Sequence, residues 1–291
     1  MKTIDLHVHS TASDGTVSPA GLVAMAAAIP LCAFALTDHD TTDGIDKALA
    51  AAHSIPGAPE VVPGIELSTD FFGTDVHIVG LDLSYKDPDF QSFLASLRQN
   101  RLEKNQAMID RMQRGGIPIS YEQMAVAFGE QVWTRAHFAR YLLSLGLVSS
   151  IAEAFDRYIG DHCPYYVAGK KISSAKAVSV IRQFDGIPVL AHPLQYCFPD
   201  TRLRTLITDL KSAGLIGMEV YYSSYTLPQQ RYLLSLAEEF SLLPSGGSDF
   251  HGENKPAIHL GSGTGNLTIS PKILLHLRRA NPSARTPSES V

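Results

Sequence analysis

Six histidines and three carboxylates stand out because each lies in a short motif at the edge of an apolar run. The first motif is Asp5-Leu6-His7-Val8-His9. Residues two apart on a strand project to one side, so His7 and His9 can grip one ion while Leu6 and Val8 face a core. The loop from Ser10 to Gly15 adds a carboxylate, Asp14, just beyond the strand. Thr37-Asp38-His39-Asp40 again follows an apolar run, and consecutive polar residues there are costly to bury without partners. A loop start with an N-capping Asp accounts for part of this motif, and Asp43-Gly44 reads as a turn. His39 has a more specific use as a further imidazole beside an HxH pair. Gly64-Ile65-Glu66-Leu67-Ser68 sets a lone carboxylate among apolar neighbours, where it is driven neutral or needs a cation. An arginine partner elsewhere in the fold is the plain alternative. His77 begins the next apolar run, and a turn at Phe72 to Asp75 would fold the two runs into a hairpin with Glu66 near His77. That hairpin requires one antiparallel strand. Ala191-His192-Pro193 and Ser248-Asp249-Phe250-His251 complete the series: Pro193 pins His192 at a strand end, and Asp249 with His251 repeats the i, i+2 arrangement.

Any one such histidine is more often structural than a ligand, but five motifs at run boundaries form a set. The set is His7, His9, His39, His77, His192 and His251 with Asp14, Glu66 and Asp249. Nine donors exceed the roughly four that a tetrahedral ion takes. With a shared carboxylate they suit two or three divalent metals, and mixed His and carboxylate donors favour Mn, Fe or Zn over Mg or Ca, with manganese the first expectation.

Strand-like runs that could position these residues lie at 3–9, 33–37, 61–67, 76–83, 187–191, 217–222 and 242–247, with helical patterns at 19–29, 43–53, 175–184, 202–213 and 228–240. Strand–helix alternation with nearly continuous apolar strands indicates a parallel sheet covered by helices. Ligand-type residues cluster where strands end, as on the C-terminal face of (β/α) barrels. The expected fold is α/β, a seven-stranded TIM-like (β/α)7 barrel, with a doubly wound open sheet as the alternative. Ser18-Pro19 reads as an N-cap with Pro at the first helical position, and Pro30 divides the uncharged run 20–37 into a helix and a strand rather than a membrane span. The alternation breaks after about residue 88, so the division is barrel 1–98, helical insertion (cap) 99–167, barrel 168–280 and a Ser/Pro-rich disordered tail 281–291. Between 98 and 140 the insertion carries seven Lys or Arg against four acids, whereas the 291-residue chain totals −5. Most of those charges are expected on a solvated face, with a few available to an anionic substrate. The overall balance excludes a general nucleic-acid coat or a basic membrane-surface protein. Three separated cysteines without a CxxC, and an N-terminus without an apolar h-region, point to the cytoplasm.

In order, DLHVHS, TDHD, GIELS, a lone His, LAHP and SDFH resemble the PHP (polymerase and histidinol phosphatase) family, from residue 5 to about 252 outside the insertion. The resemblance implies a distorted barrel with a trinuclear metal centre for phosphoester hydrolysis. By position, one metal takes His7, His9, Glu66 and Asp249; a second takes His77 and His192 and shares Glu66; a third takes Asp14, His39 and His251. Glu66, His192 and Asp249 are the catalytic candidates. Two metals about 3.5–4 Å apart can hold a hydroxide that is nucleophilic at neutral pH. The insertion resembles that of PHP phosphoesterases acting on nucleoside 3',5'-bisphosphates and short RNA ends. The expected reaction is therefore removal of the 3'-phosphate from a nucleoside 3',5'-bisphosphate. Arg135, His137, Lys170 and Lys171 are candidates to bind the second phosphate. An exposed helix face and a solvated loop are the bland alternative for these four. The competing readings are histidinol-phosphate phosphatase, which calls for an acidic amine pocket, and 5'-3' exoribonuclease on short RNA. A non-catalytic metal-binding module ranks below them, because structural sites are closed and Cys-rich. Neither a membrane nor an obligate protein partner is expected.

Overall fold

The computed structural model describes residues 2–129 and 133–281. Strands Thr3–Val8 (β1), Leu31–Leu36 (β2), Glu60–Phe71 (β3), Thr74–Leu81 (β4), Ile172–Ser173 (β5), Ile187–Leu190 (β6), Gly217–Tyr222 (β7) and Leu243–Gly247 (β8) form one sheet. Its order is β1-β2-β3-β4-β6-β7-β8, with the short β5 added beside β3. Neighbours are parallel except at β4, which runs antiparallel to both β3 and β6. The hairpin expected between Glu66 and His77 is therefore present, with Gly73 at φ 80° in its turn. The sheet nearly closes on itself: Asp249 N donates to His7 O at 2.9 Å and His9 N to Phe250 O at 3.0 Å. Asp5, fully buried, reinforces the seam by accepting from Ser248 N at 2.7 Å and Gly261 N at 2.8 Å. Backbones approach so closely here that a Cβ on Gly247 would lie 2.4 Å from His7 Cβ.

Helices Pro19–Ala27 (α1) and Ile45–Ser54 (α2) follow the first two strands, as their apolar spacing requires. Ser18 caps α1 by accepting from Gly21 N, and Pro30 separates the helix from β2. Among the described residues no helix is long and apolar enough to cross a membrane. The long helix Pro88–Arg114 (α3) starts at Asp87, whose side chain accepts from Asp89 and Phe90 N, and ends at Gly115. Residue 99 falls inside it. Its first half packs Phe90, Leu94 and Leu97 on the barrel, while Met108, Ile109 and Met112 enter a separate cluster with Trp133, Phe138 and Leu142. Tyr121–Phe128 (α4), Arg135–Ser144 (α5) and Ile151–Ala154 (α6) complete that cluster, and α6 continues into a π-turn at Phe155–Ile159. Each such side chain, once buried, contributes about 1.5–3 kcal/mol, enough for the insertion to hold its own core. Ser174–Gln183 (α7), Asp200–Ser212 (α8), Leu227–Glu239 (α9) and Lys272–Ala280 (α10) finish the barrel's outer layer. Of the expected tail, 282–291 lie outside the described residues, while Asn281 is buried and donates to Asp185 O at 2.7 Å.

Candidate metal centre

All nine donors converge at one mouth of the barrel. His7 is the penultimate residue of β1 and His9 the first beyond it, His39 follows β2, and Glu66 lies mid-way along β3. Because β4 is reversed, His77 near its start meets Glu66, with Nδ1 2.9 Å from Oε1. His192 follows β6 and places Nε2 3.0 Å from the same oxygen. The other oxygen of Glu66 faces His7 Nε2 at 3.2 Å, His9 Nε2 at 3.2 Å and His39 Nδ1 at 3.1 Å. Asp249 Oδ1 lies 3.6 Å from His7 Nε2 and 3.4 Å from His9 Nε2. Asp14 Oδ1 lies 3.3 Å from His251 Nε2, and Oδ2 lies 3.7 Å from His39 Nε2. Glu66 is thus the carboxylate between the groups, with one oxygen turned to each side.

Seven of the nine donors are buried, and His39 and His77 are partly exposed. Burial opposes ionisation of Glu66, yet His7, His77 and His39 hold its carboxyl well below the usual range. Asp14 is likewise buried but held low by His39 and His251, and Asp249 by Lys255 and His251. His192 sits at φ 24° and Asp249 at φ 56°, left-handed conformations uncommon outside glycine. Pro193 disfavours the right-handed helical region for His192. The left-handed alternative is fixed by Glu219 Oε2, which accepts the His192 N–H at 2.7 Å.

Whether these residues suit divalent cations is answered by the atoms left over. Buried His7 Nε2, both ring nitrogens of His9, His39 Nδ1 and His192 Nδ1 have no hydrogen-bond partner among the described residues. An unpaired buried polar atom costs about 1–3 kcal/mol, so aiming three imidazole nitrogens at one carboxylate oxygen is tenable when a cation lies between them. Three overlapping donor groups have this form: His9, Asp14, His39 and His251; His7, His9 and Glu66; His39, Glu66 and His77. The residues therefore fit metal ions with mixed nitrogen and oxygen ligands.

A cavity of about 300 Å³ opens from this cluster toward the insertion. Asp14, His39, His77 and His251 are among its lining residues. From α3 come Leu97, Asn100, Arg101 and Lys104, spaced to share one helix face. Arg135, Lys170 and Lys171 also line it. Arg135 is paired with Asp75 at 3.2 Å and Asp161 at 2.5 Å, and Lys171 is paired with Asp75. His137 departs from expectation. It is buried, is not among the residues lining the cavity, and closes a capping box at the start of α5, its Nδ1 accepting from Thr134 N at 3.0 Å. Burial lowers its pKa to about 4, which keeps that nitrogen free to accept.

Several residues around the donors carry no motif. Glu219 accepts from His7 Nδ1 at 2.8 Å, which fixes the tautomer that aims Nε2 at Glu66. It sits in GMEVYY as Glu66 sits in GIELS, so the burial argument that singled out Glu66 applies equally to it. Tyr222 Oη and Lys255 Nζ donate to Asp249 Oδ2 at 2.7 and 2.6 Å, turning Oδ1 to the histidines. Thr134 Oγ1 donates to Asp14 Oδ2 at 2.9 Å, linking the insertion to the centre.

Imidazoles and carboxylates gathered at the mouth of a distorted α/β barrel, with a cationic annex, define a metal-dependent hydrolytic site. The PHP domain family matches residues 5–160. A 5'-3' exoribonuclease of Haemophilus influenzae is 40% identical over 251 residues, 86% of this chain and 90% of that protein. A 3',5'-nucleoside bisphosphate phosphatase of Chromobacterium violaceum is 36% identical, covering 86% of this chain and 88% of its own. A solved structure described as an amidohydrolase from C. violaceum, with bound sulfate and no metal, superposes with a TM-score of 0.84 over 96% of both chains at 33% identity. The chain belongs to the PHP domain family.

Proposed function

We propose that the enzyme hydrolyses the 3'-phosphate of nucleoside 3',5'-bisphosphates, releasing phosphate and the 5'-nucleotide. Its reaction class is metal-dependent hydrolysis of a phosphoric ester. The observation that carries the substrate is one cavity lined both by ligand-type His and Asp and by the cations Arg101, Lys104, Arg135, Lys170 and Lys171. A small molecule with two phosphates suits such a mixed lining. An amine-bearing monophosphate finds no acid beside these cations that is not already paired, since Asp40 is matched to Arg101 and Asp75 to Arg135 and Lys171.

Nine residues would hold the metals: His7, His9, Asp14, His39, Glu66, His77, His192, Asp249 and His251. Two or three divalent ions, manganese first, fit this set, and such ions polarise a phosphoryl group and lower the pKa of water. Glu66, His192 and Asp249 form the reacting centre. Glu66 keeps the donor groups on either side in register. Tyr222 and Lys255 fix Asp249, and Lys255 also lines the cavity. The cations of the lining hold the second phosphate, so the 3'-ester is presented to the donors. Water adds to phosphorus, the bond to the ribose 3'-oxygen breaks, and that oxygen gains a proton. Residues 99–167 act as a specificity cap on a barrel made by 1–98 and 168–280. Unpaired cysteines at Cys32, Cys163 and Cys197 support a cytoplasmic setting.

A second reading, 5'-3' exoribonuclease on short RNA, is supported by the name of the Haemophilus relative. Phosphate and nucleotide release by the manganese-loaded enzyme should be compared across adenosine 3',5'-bisphosphate, 3'-AMP, 5'-AMP, histidinol phosphate and a short 5'-phosphorylated RNA. The bisphosphate should lead by at least tenfold in kcat/KM. Histidinol phosphate or RNA in first place overturns the assignment.

A further inference from the structure

The strand pair that carries two of the donors is not closed in the ordinary way. Ile78 of β4 faces Leu190 of β6, so the next rung of this antiparallel ladder is His77 opposite Ala191. A hydrogen-bonded rung exchanges both of its N–H···O bonds. Here one half is made directly, Ala191 N donating to His77 O at 3.2 Å. The other half is interrupted by a side chain. His77 N donates to Tyr196 Oη at 3.0 Å, and Tyr196 Oη donates to Ala191 O at 2.7 Å. Two bonds in series stand where one direct bond of about 2.9 Å would lie, so the rung is wedged open on one side. At the wedge each strand delivers a donor, His77 itself and His192 directly after Ala191. Their ring centres are 5.2 Å apart, and both reach the same oxygen of Glu66, at 2.9 and 3.0 Å. A tight turn brings the hydroxyl there. Pro193–Tyr196 forms one 3-10 turn between two left-handed residues, His192 at φ 24° and Cys197 at φ 51°. Gln195 N donates to His192 O at 2.9 Å, and Leu194 N donates to Tyr225 Oη at 2.9 Å. The Tyr196 ring stands edge-on to His192, with 5.7 Å between centres.

We infer that Tyr196 is a positioning residue for the metal centre: its hydroxyl, inserted in the β4–β6 ladder, sets the separation of His77 and His192 and so the bite of the donor group they form with Glu66. This rests on the ligand assignment above. It extends that assignment to a residue whose hydroxyl bonds only to backbone and which is not among those lining the cavity. A phenyl ring at this position keeps the packing against His192 and removes both hydroxyl bonds. Without the wedge the rung can close into the ordinary direct bond, which draws the two histidines toward each other.

The test is calorimetric titration of manganese into the metal-free full chain, comparing wild type with Y196F, Y225F and H77A. Y225F removes a hydroxyl that holds the same turn at Leu194 without touching the rung. H77A removes a donor and should delete one binding event. Y196F should weaken that same event by about tenfold, the lower end of the range for groups that orient a metal ligand, and should lower kcat while KM stays within about twofold. Y225F should lower Tm by a similar amount yet keep manganese affinity within about twofold of wild type. A Y196F isotherm like that of wild type overturns the proposal, because the hydroxyl then has no part in spacing the donors. An equal loss of affinity in Y225F also overturns it, by assigning the effect to the turn as a whole. The ligand assignment is separated by H77A. An unchanged H77A isotherm removes that assignment and the proposal together, whereas a binding event lost in H77A and intact in Y196F removes the role of Tyr196 alone.

Discussion

Glu219→Gln changes the metal centre without touching a donor. The two carboxylate oxygens divide their work: Oε1 accepts from His7 Nδ1 at 2.8 Å and Oε2 accepts the His192 N–H at 2.7 Å. A glutamine of the same size offers one oxygen, and its NH2 must then face an N–H donor. One charge-assisted bond is lost, worth about 1.5–3 kcal/mol. Carboxylates that orient a metal-bound histidine govern affinity by about 10- to 100-fold, or about 1.4–2.7 kcal/mol at tenfold per 1.4 kcal/mol. The two routes agree, so manganese binding measured by calorimetry should weaken by about 10- to 100-fold in E219Q. The metal-free protein should also lose about 2 kcal/mol, a fall in Tm of about 4 °C at this chain length. Manganese affinity within twofold of wild type, together with that drop in Tm, would show Glu219 to be a packing residue and refute its role in orienting His7.

Chelation should abolish turnover while far-UV circular dichroism stays unchanged, because apolar clusters on both sides of the sheet carry the fold. The melting temperature should fall by a few degrees, the mass-action share of bound metal being about 2.7 kcal/mol at a hundredfold excess over Kd; loss of helical signal would instead make the site structural. Gly247→Ala should remove most activity, since the new Cβ meets His7 Cβ at 2.4 Å across the seam; wild-type turnover would show that the seam yields. His137 titrates near 4 when folded and near 6.5 when unfolded, so the unfolded chain binds the extra proton between those values. Stability should therefore fall as pH drops from about 6.5 to 4, by at most about 3 kcal/mol from this group, and be unaffected above that window. H137Q, which keeps an acceptor for the Thr134 N–H, should flatten that part of the Tm–pH curve; an identical slope in both proteins would assign the titration elsewhere.

The barrel strands and the donors were legible because both are written in local spacing. Apolar runs of strand length ended in His or Asp, and the folded chain places those ends at one mouth. The reversal at β4 was readable as well, since His77 stands at the wrong end of its run for a parallel strand. The supporting contacts were less visible. Glu219, Tyr222 and Lys255 reach the donors through tertiary geometry that no short motif encodes. His137 misled for a related reason. In TRAHFAR it reads as a polar residue on an exposed helix, whereas position N3 after Thr134 makes it the partner of a capping box. The α3 stripe of Leu97, Asn100, Arg101 and Lys104 carries a helical spacing that was there to be found. It was masked by the many other charges around it.

The reversed fourth strand has a consequence for how substrate range can change. Because β4 ends on the face opposite the donors, the chain must travel back before it can reach the mouth again. It does so on α3, whose 27 residues span about 40 Å. The helix is thus a ruler: its lower turns are fixed to the barrel by Phe90 and Leu94, and the height of Arg101 and Lys104 above the donor cluster is set by the number of turns below them. Adding or deleting seven residues between Leu94 and Asn100 would move those cations by about 10 Å while nearly keeping their facing direction. Related chains could in this way favour longer or shorter substrates through an insertion or deletion in one helix, with every metal-binding residue left untouched.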